Sequence, residues 1–516
     1  MTYTPIVGLE IHVELKTRSK MFCGCANDQN EKHPNNNICP ICMGHPGTLP
    51  VINREAVRKV IKTGLALHCQ ILENSKFDRK NYFYPDLPKG YQISQYNLPL
   101  CKEGYLQVTL GNFIPPRLQE GRGRQSKVRI RRIHLEEDTG KLLHPEGTDY
   151  SLVDFNRAGI PLMELVTEPD IRSAKEARRF SEELRLILRY LGVSDVNMEK
   201  GQMRVEVNLS LLPAEKAKQR IKSDKELGTK VEIKNLNSFR AVEGALKYET
   251  KRQTEVLESG KKVIQETRGW SKSRGVTLSQ REKEEAYDYR YFPEPDLPPL
   301  HITGKEISEI KSEIPELPQQ KRERFAKEYN LDERDVEVFV QNKDLGAYFE
   351  KVISELKDWI KSIELKTKLS DREIKRFVKL AANYVLTDLQ RLLKKASVAG
   401  DDFPITPENF AEFIALIYEG KISSKIAKQV LLEMFKTGAD PSHIIKEKKL
   451  SLITDESEIE KIIKNVLNKN QTAINDFKDG KGNALQFLVG QVMQETRGRA
   501  NPQTVKDILE KELTKT

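Results

Sequence analysis

The sequence predicts an α+β protein: a first domain of strands and helices in layers, followed by an all-helical domain and a small helical tail. Three observations carry that prediction. Short stretches alternate strictly between apolar and polar residues, as half-buried strands do. Amphipathic segments opened by serine interrupt them, which is the mark of capped helices in an α+β layer arrangement. After a proline-rich break the period becomes helical and stays so to the end. A chain of 516 residues exceeds one ordinary core, so two to four domains are expected.

The first strand is Gly8-Leu9-Glu10-Ile11-His12-Val13-Glu14-Leu15. Leu9, Ile11, Val13 and Leu15 form a core face, and Glu10, His12 and Glu14 share the other. Residues two apart on a strand face lie roughly 6.5–7 Å apart, so Glu10 and His12 can reach one cation or one metal-bound phosphate. Next come Cys23-x-Cys25 and, after thirteen residues, Cys39-Pro40-Ile41-Cys42. Two close pairs at this spacing predict a structural zinc knuckle over 23–42, because four thiolates close the coordination sphere and leave no open position for chemistry. Cys69 and Cys101 stand apart and read as ordinary cysteines. The run from Lys76 to Tyr96 interleaves cations with rings. It suits a phosphate and base pocket, and equally a proline-pinned loop whose tyrosines pack on the knuckle.

A second acidic strand follows in Lys127-Val128-Arg129-Ile130-Arg131-Arg132-Ile133-His134-Leu135-Glu136-Glu137, leading into Asp138-Thr139-Gly140-Lys141. Helices are expected over Ser173 to Leu191 and Ser238 to Ser259, with strands over Met203–Leu209 and Val231–Asn237. Arg204, Glu206 and Asn208 share one strand face, an acid and an amide in a ligand row. Magnesium takes few carboxylates and keeps several waters, so Glu10, Glu137 and Glu206, with His12 as a nitrogen ligand, make an ample set. Tyr291-Phe292-Pro293-Glu294-Pro295-Asp296-Leu297-Pro298-Pro299 marks the first boundary, giving domains at 1–293, 294–404 and 405–516. In the tail a helix is expected over Asn483–Glu495, and Arg497-Gly498-Arg499 leads into Asn501-Pro502, the cap and first turn of a last helix.

Composition bounds the class. The 86 basic against 76 acidic residues give a net charge of +10, a mild push toward a polyanionic partner. No window approaches the roughly 18–20 apolar residues of a membrane span, and no apolar leader opens the chain, so a cytoplasmic protein is expected. Neither a Gly-x-x-x-x-Gly-Lys-Ser/Thr loop nor a Gly-x-Gly-x-x-Gly turn occurs, so a nucleotide must be held by other means.

Several long strings carry a family resemblance. Gly8 to His12, Arg79 to Gln95, His134 to Lys141, Asp154 to Glu164, Lys234 to Phe239 and Tyr289 to Pro298 resemble the GatB family, the B subunits of the aspartyl/glutamyl-tRNA(Asn/Gln) amidotransferases, as do Phe487 to Met493 and Arg497 to Pro502. The resemblance implies that the first domain is a cradle-like catalytic domain with a mixed or antiparallel sheet and helices, and that the chain is a member of a heterotrimer whose other members are an amidase (glutaminase) and a small third protein. The amidase would release ammonia from glutamine, and this chain, with ATP and Mg2+, would phosphorylate and amidate the side-chain carboxylate of Glu on tRNA(Gln) or Asp on tRNA(Asn). It implies catalytic roles around Glu10, His12, Glu136, Glu137 and Glu206, metal ligation by Glu10, His12, Glu137 and Glu206, and cofactor binding by Lys80, Arg157, Arg204 and Asn208. The tail would bind tRNA. The chain has no glycine/serine-rich amidase signature, so glutamine use requires the partner.

At Glu206 the family motif is Arg-x-Asp/Glu-x-Asn, and the longer carboxylate shifts ligand geometry by about one methylene. The basic insertion around Gly121 to Lys127 is longer than expected. A class I aminoacyl-tRNA synthetase reading rests on Lys421-Ile422-Ser423-Ser424-Lys425, but no companion histidine–glycine–histidine signature precedes it and a serine cap explains it. A zinc-stabilised tRNA-binding scaffold without an active site is the other alternative; it gains nothing from several acids facing phosphate.

Overall fold

The computed structural model describes residues 2–28, 30–110, 124–217, 224–282, 288–364, 370–393, 398, 403–453, 455–478, 481 and 483–515. The start of the basic insertion, 121–123, lies outside them, as do 400–402, 480 and 482. The chain divides into two compact units, Met1–Gln320 and Lys321–Thr516.

A nine-stranded mixed sheet organises the first unit. Its strands are β1 (Tyr3–Glu14), β2 (Gln70–Ile71), β3 (Cys101–Leu110), β4 (Arg124–Glu137), β5 (Pro161–Thr167), β6 (Met203–Pro213), β7 (Val231–Leu236), β8 (Glu266–Ser271) and β9 (Val276–Glu282). They lie in the order β9-β8-β7-β6-β1-β5-β4-β3-β2, antiparallel throughout except for the parallel pair β7–β8. β1 is central, flanked by β5 and β6. Its alternation sorts it as the sequence predicts: Leu9, Ile11 and Val13 are buried in the main core with Phe180 and Leu184 from a helix that packs on the sheet.

That helix is α2 (Ala174–Leu191), which follows α1 (Arg54–Ala66) and precedes α3 (Phe239–Glu258). Ser173 caps α2 by accepting from Glu176 N, Gly192 closes it in the left-handed region (φ 66°), and Ser238 caps α3 by accepting from Ala241 N. The helices thus cover the apolar face, and the polar face of the central strands is left for chemistry.

The first unit runs past the proline-rich segment, so the boundary expected at 293/294 is corrected to one after Gln320. The segment folds back instead of linking. Phe292 and Pro293 pair with Arg79 and Asp78, the Glu294 carboxylate receives both Arg79 Nε and Nη2 at 2.7 Å, and α4 (Gly304–Ser312) packs on α1, where Arg54 pairs with Glu306.

The second unit is helical. It includes α5 (Pro318–Glu328, from Lys321), α6 (Glu333–Gln341), α7 (Lys343–Glu364), α8 (Asp371–Tyr384), α9 (Pro407–Tyr418) and α10 (Ser424–Thr437). Phe339 and Phe349 stack with centroids 4.4 Å apart. No break in packing falls at 404/405, because α9 lies on α7 and α8 and the Tyr348 hydroxyl donates to Ile405 O. A separate small core joins α11 (Glu456–Lys469), α12 (Gln471–Lys478), α13 (Asn483–Glu495) and α14 (Pro502–Lys515). Asn501 caps α14 by accepting from Gln503 N at 2.8 Å. Among the described residues no helix is long and apolar enough to cross a membrane.

Candidate active site

Register fixes which side chains meet. On the polar face, Arg204 of β6, His12 of β1, Glu164 of β5 and His134 of β4 lie side by side in one row across four strands. Two residues along, Glu206 sits opposite Glu10 and, two further, Asn208 opposite Gly8. Directly opposed residues in antiparallel strands share a face, so these rows build two clusters.

The first cluster is His12, Glu136 and Glu164. His12 Nε2 lies 3.3 Å from Glu164 Oε2 and 3.8 Å from Glu136 Oε1. Buried His134 places its Nε2 3.5 Å from Glu164 and 3.7 Å from Glu136. Burial works against the charge of His12, but the Glu164 hydrogen bond and the nearby carboxylates outweigh it and push His12 up to about 9. Burial likewise opposes ionisation of Glu164, and the two histidines reverse that, holding it well below the usual carboxylate range.

The second cluster is Glu10, Glu206 and Glu232. Asn208 Nδ2 donates to Glu10 Oε1 (2.8 Å), Thr267 Oγ1 donates to Glu232 Oε2 (2.8 Å), and Lys234 Nζ lies 2.9 Å from Glu206. Burial, then Glu164 and Glu206, raise the Glu10 carboxyl. Beside this cluster a cavity of about 400 Å³ is lined by Gly8, Glu10, Thr167, Asn208, Arg131 and Lys230. A Cβ on Gly8 would meet nothing nearer than 3.9 Å, so that strand position stays open above the sheet.

Both clusters fit divalent cations. The second is an all-oxygen set, and the amide oxygen of Asn208 is buried without a hydrogen-bond partner, as an unfilled ligand would be. The first joins two carboxylates to one imidazole, a mixed donor set.

Glu137, grouped with these ligands on the sequence, stands elsewhere. It pairs with Pro161 while Glu136 pairs with Leu162, so the two glutamates have opposite parity on β4. Glu137 is buried against Lys89 in an ion pair and accepts from Ile93 N (2.9 Å). Arg204 and Arg157 also turn away from the acid clusters. Arg204 Nη2 donates to buried Asp138 Oδ2 (2.8 Å), and Arg157 donates to Thr139 O and Gly140 O while its Nε lies 3.8 Å from Asp138. Lys80 stands over the rings of Tyr82 and Tyr289 at 5.7 and 5.1 Å. Burial opposes its charge, and Glu136 with its neighbours more than offsets that and keeps the ammonium charged. The aromatic run 76–96 packs on the returning segment, with Tyr96 stacked on Tyr291 at 4.2 Å.

Glu164 and Glu232 were missed by sequence reasoning. Their signal was present: Glu164 is a lone acid inside the apolar run Pro161-Leu162-Met163-Glu164-Leu165, and Glu232 shares with Lys234 the polar face of the alternating strand Val231-Glu232-Ile233-Lys234.

Cys23, Cys25, Cys39 and Cys42 bring their sulfurs within 4.8 Å of one another. Hydrogen bonding from Cys23 pulls the Cys42 thiol down to about 5, with Cys39 N and Lys20 adding to the effect against burial. Lys20 is fully buried, with Nζ 3.8 Å from Cys42 Sγ. A zinc tetrathiolate carries two negative charges, and a buried ammonium beside it offsets one of them. The donor set therefore fits a closed zinc site.

The profile of the GatB/GatE catalytic domain matches residues 5–308, and that of the GatB domain matches 367–513. The B subunit of the aspartyl/glutamyl-tRNA(Asn/Gln) amidotransferase from Caldicellulosiruptor saccharolyticus is 48% identical over 518 residues, covering 100% of both chains. The chain belongs to the GatB family, the B subunits of these amidotransferases. Relatives from Carboxydothermus hydrogenoformans and Thermotoga maritima, of the same name, are each 47% identical, with 99% of both chains covered. Both acid clusters and the four cysteines fall inside the stretch matched by the GatB/GatE catalytic profile. Lys421–Lys425, the string that suggested a synthetase, opens α10: Ser423 caps that helix and its hydroxyl donates to Gly498 O at 2.7 Å.

Proposed function

We propose that this chain is the carboxylate-activating member of a heterotrimeric, glutamine-dependent tRNA amidotransferase acting in the cytoplasm. Its substrates are Glu-tRNA(Gln) and Asp-tRNA(Asn), and its partners are an amidase (glutaminase) and a small third protein. The observation that carries this reading is the pair of acid clusters side by side on one sheet face, in a member of the GatB family.

A free carboxylate is a poor acyl donor, and phosphorylation gives it a leaving group. One carboxylate oxygen of the substrate attacks the γ-phosphorus of ATP and the bond to ADP breaks. Ammonia from the amidase then attacks the acyl carbon, phosphate departs with the C–O electron pair, and the nitrogen loses a proton. Mg2+ held by His12, Glu136 and Glu164, and by Glu10, Glu206, Glu232 and Asn208, would supply charge neutralisation at the transferring phosphoryl group.

The chain's own residues supply the rest. Lys80, charged beside Glu136, offers a cation to the developing charge on the acyl phosphate. Arg157 and Arg204 act through Asp138, fixing the Thr139–Gly140 turn that ends β4, and so position Glu136 without touching nucleotide. The cavity beside Gly8, lined by Arg131 and Lys230, accepts part of the nucleotide. Zn2+ on the four cysteines would staple the knuckle, and the tail would engage tRNA.

The test is single-turnover release of γ-phosphate from labelled ATP by the full complex with Glu-tRNA(Gln) and ammonia, comparing wild type with Glu164→Gln. Phosphate and Gln-tRNA formed by wild type alone support the reading. Undiminished tRNA binding with no phosphate release from either protein returns the chain to a scaffold role.

A further inference from the structure

The two acid clusters differ in one respect that the reaction scheme does not use. In the first, the nitrogen that meets the carboxylates belongs to His12, itself a candidate ligand, while Lys80 stands over tyrosine rings. In the second, a lysine already occupies the cluster. Lys234 Nζ lies 2.9 Å from Glu206 Oε2 and 3.5 Å from Glu232 Oε1. Lys234 and Glu232 are two residues apart on β7, hence on one face, and pairing of Lys234 with Gly269 on β8 fixes the backbone. The ammonium thus stands against two of the three carboxylates that a cation would use.

An ammonium and a divalent cation cannot share those oxygens, because each would be held at contact distance from the other's positive charge. The lysine side chain is 42% exposed, so its flexible stem leaves room to swing outward. Leaving these two carboxylates for water is unfavourable for the ammonium unless another anion receives it. The anion that arrives with the metal in phosphoryl transfer is a polyphosphate, and lysine binds phosphate well as a point charge.

We propose that Lys234 is the resident counter-cation of the Glu10, Glu206 and Glu232 cluster. A divalent cation must displace it, so the cluster fills only together with a phosphate that takes over the ammonium. This rests on the metal-dependent reading above and adds an order of loading to it: the His12 cluster fills alone, and the Glu10 cluster fills with nucleotide. Lys234 thereby couples nucleotide and metal occupancy, and in the loaded site it contacts phosphate.

The experiment is Mn2+ titration of the full chain, followed by the electron paramagnetic resonance signal of free Mn2+, with and without a non-hydrolysable ATP analogue. Wild type should bind one Mn2+ tightly without nucleotide and a second only with the analogue. Lys234→Met should bind the second without nucleotide, at least tenfold more tightly than wild type does. Lys234→Arg, which keeps the charge, should retain the wild-type pattern. Glu164→Gln should lose the tight ion and keep nucleotide dependence at the other cluster. Two tight ions in wild type without nucleotide, or identical curves for wild type and Lys234→Met, overturn the proposal. If Glu164→Gln still loses the tight ion in that case, the metal reading survives and only the role of Lys234 falls; if wild type binds no ion tightly, both fall.

Discussion

Strand parity on β4 separates two adjacent glutamates, and the separation is measurable. Glu164→Gln removes one of two anionic donors from the first cluster, where Glu164 Oε2 lies 3.3 Å from His12 and 3.5 Å from His134. Losing one positioned charge at a phosphoryl-transfer site lowers turnover by about 10²–10³-fold. Stability should fall as well, because the two histidines that hold Glu164 ionised lose their carboxylate partner. Glu137→Gln should lower stability and leave the turnover of the folded protein unchanged. Its carboxylate is 4% exposed and pairs with Lys89, 9% exposed, so neutralising it strands a buried cation at a cost of about 3–5 kcal/mol. In a unit of this size that lowers Tm on the order of 10 °C, while the folded fraction keeps its rate. The assay is single-turnover γ-phosphate release beside thermal unfolding of the same preparations. A Glu137→Gln protein with wild-type Tm and no turnover, or a Glu164→Gln protein at the wild-type rate, would refute the parity argument.

Three further outcomes follow from neighbouring features. Lys20→Met should weaken zinc retention by about 10–100-fold, as loss of a supporting group around a metal site does, read by competition with a chromophoric chelator; unchanged retention would mean the buried ammonium does not serve the knuckle. Burial, then Asp138, pushes the Glu14 carboxyl up to about 8; a raised carboxyl stabilises the fold below its unfolded value and loses that contribution as pH rises through its folded value. Glu14→Gln should therefore match wild type near pH 4.5 and exceed it in denaturation midpoint above pH 8, and a constant difference across that range would contradict the assignment. Ser423→Ala should cost the second unit about 1 kcal/mol through loss of the α10 cap and leave ATP affinity unchanged, where a nucleotide loop would lose it.

How much of this was legible in the sequence depends on what each pattern encodes. β1 announced itself because one face is wholly apolar and the other polar, so Glu10 and His12 could be placed on one side before any partner was known. β5 could not be read that way, since both faces are largely buried and Glu164 interrupts an apolar run; its meaning arises only when β1 and β4 lie on either side. Glu136 and Glu137 show the complementary failure. Two adjacent acids at a strand end must face opposite ways, but which of them joins His12 is set by pairing with Leu162 and Pro161, a register that spacing within β4 does not contain. The proline-rich segment misled for a related reason: its composition forbids regular structure locally, yet its backbone completes a sheet with Asp78 and Arg79 some 215 positions earlier, through the Arg79–Glu294 pair. Alternation within a strand thus encodes which face a residue takes, and pairing between distant strands decides which residues share the site. The same rule makes Lys234 informative. Its strand reads as an ordinary polar face, and only the β6–β7 register turns it into a cation seated among acids.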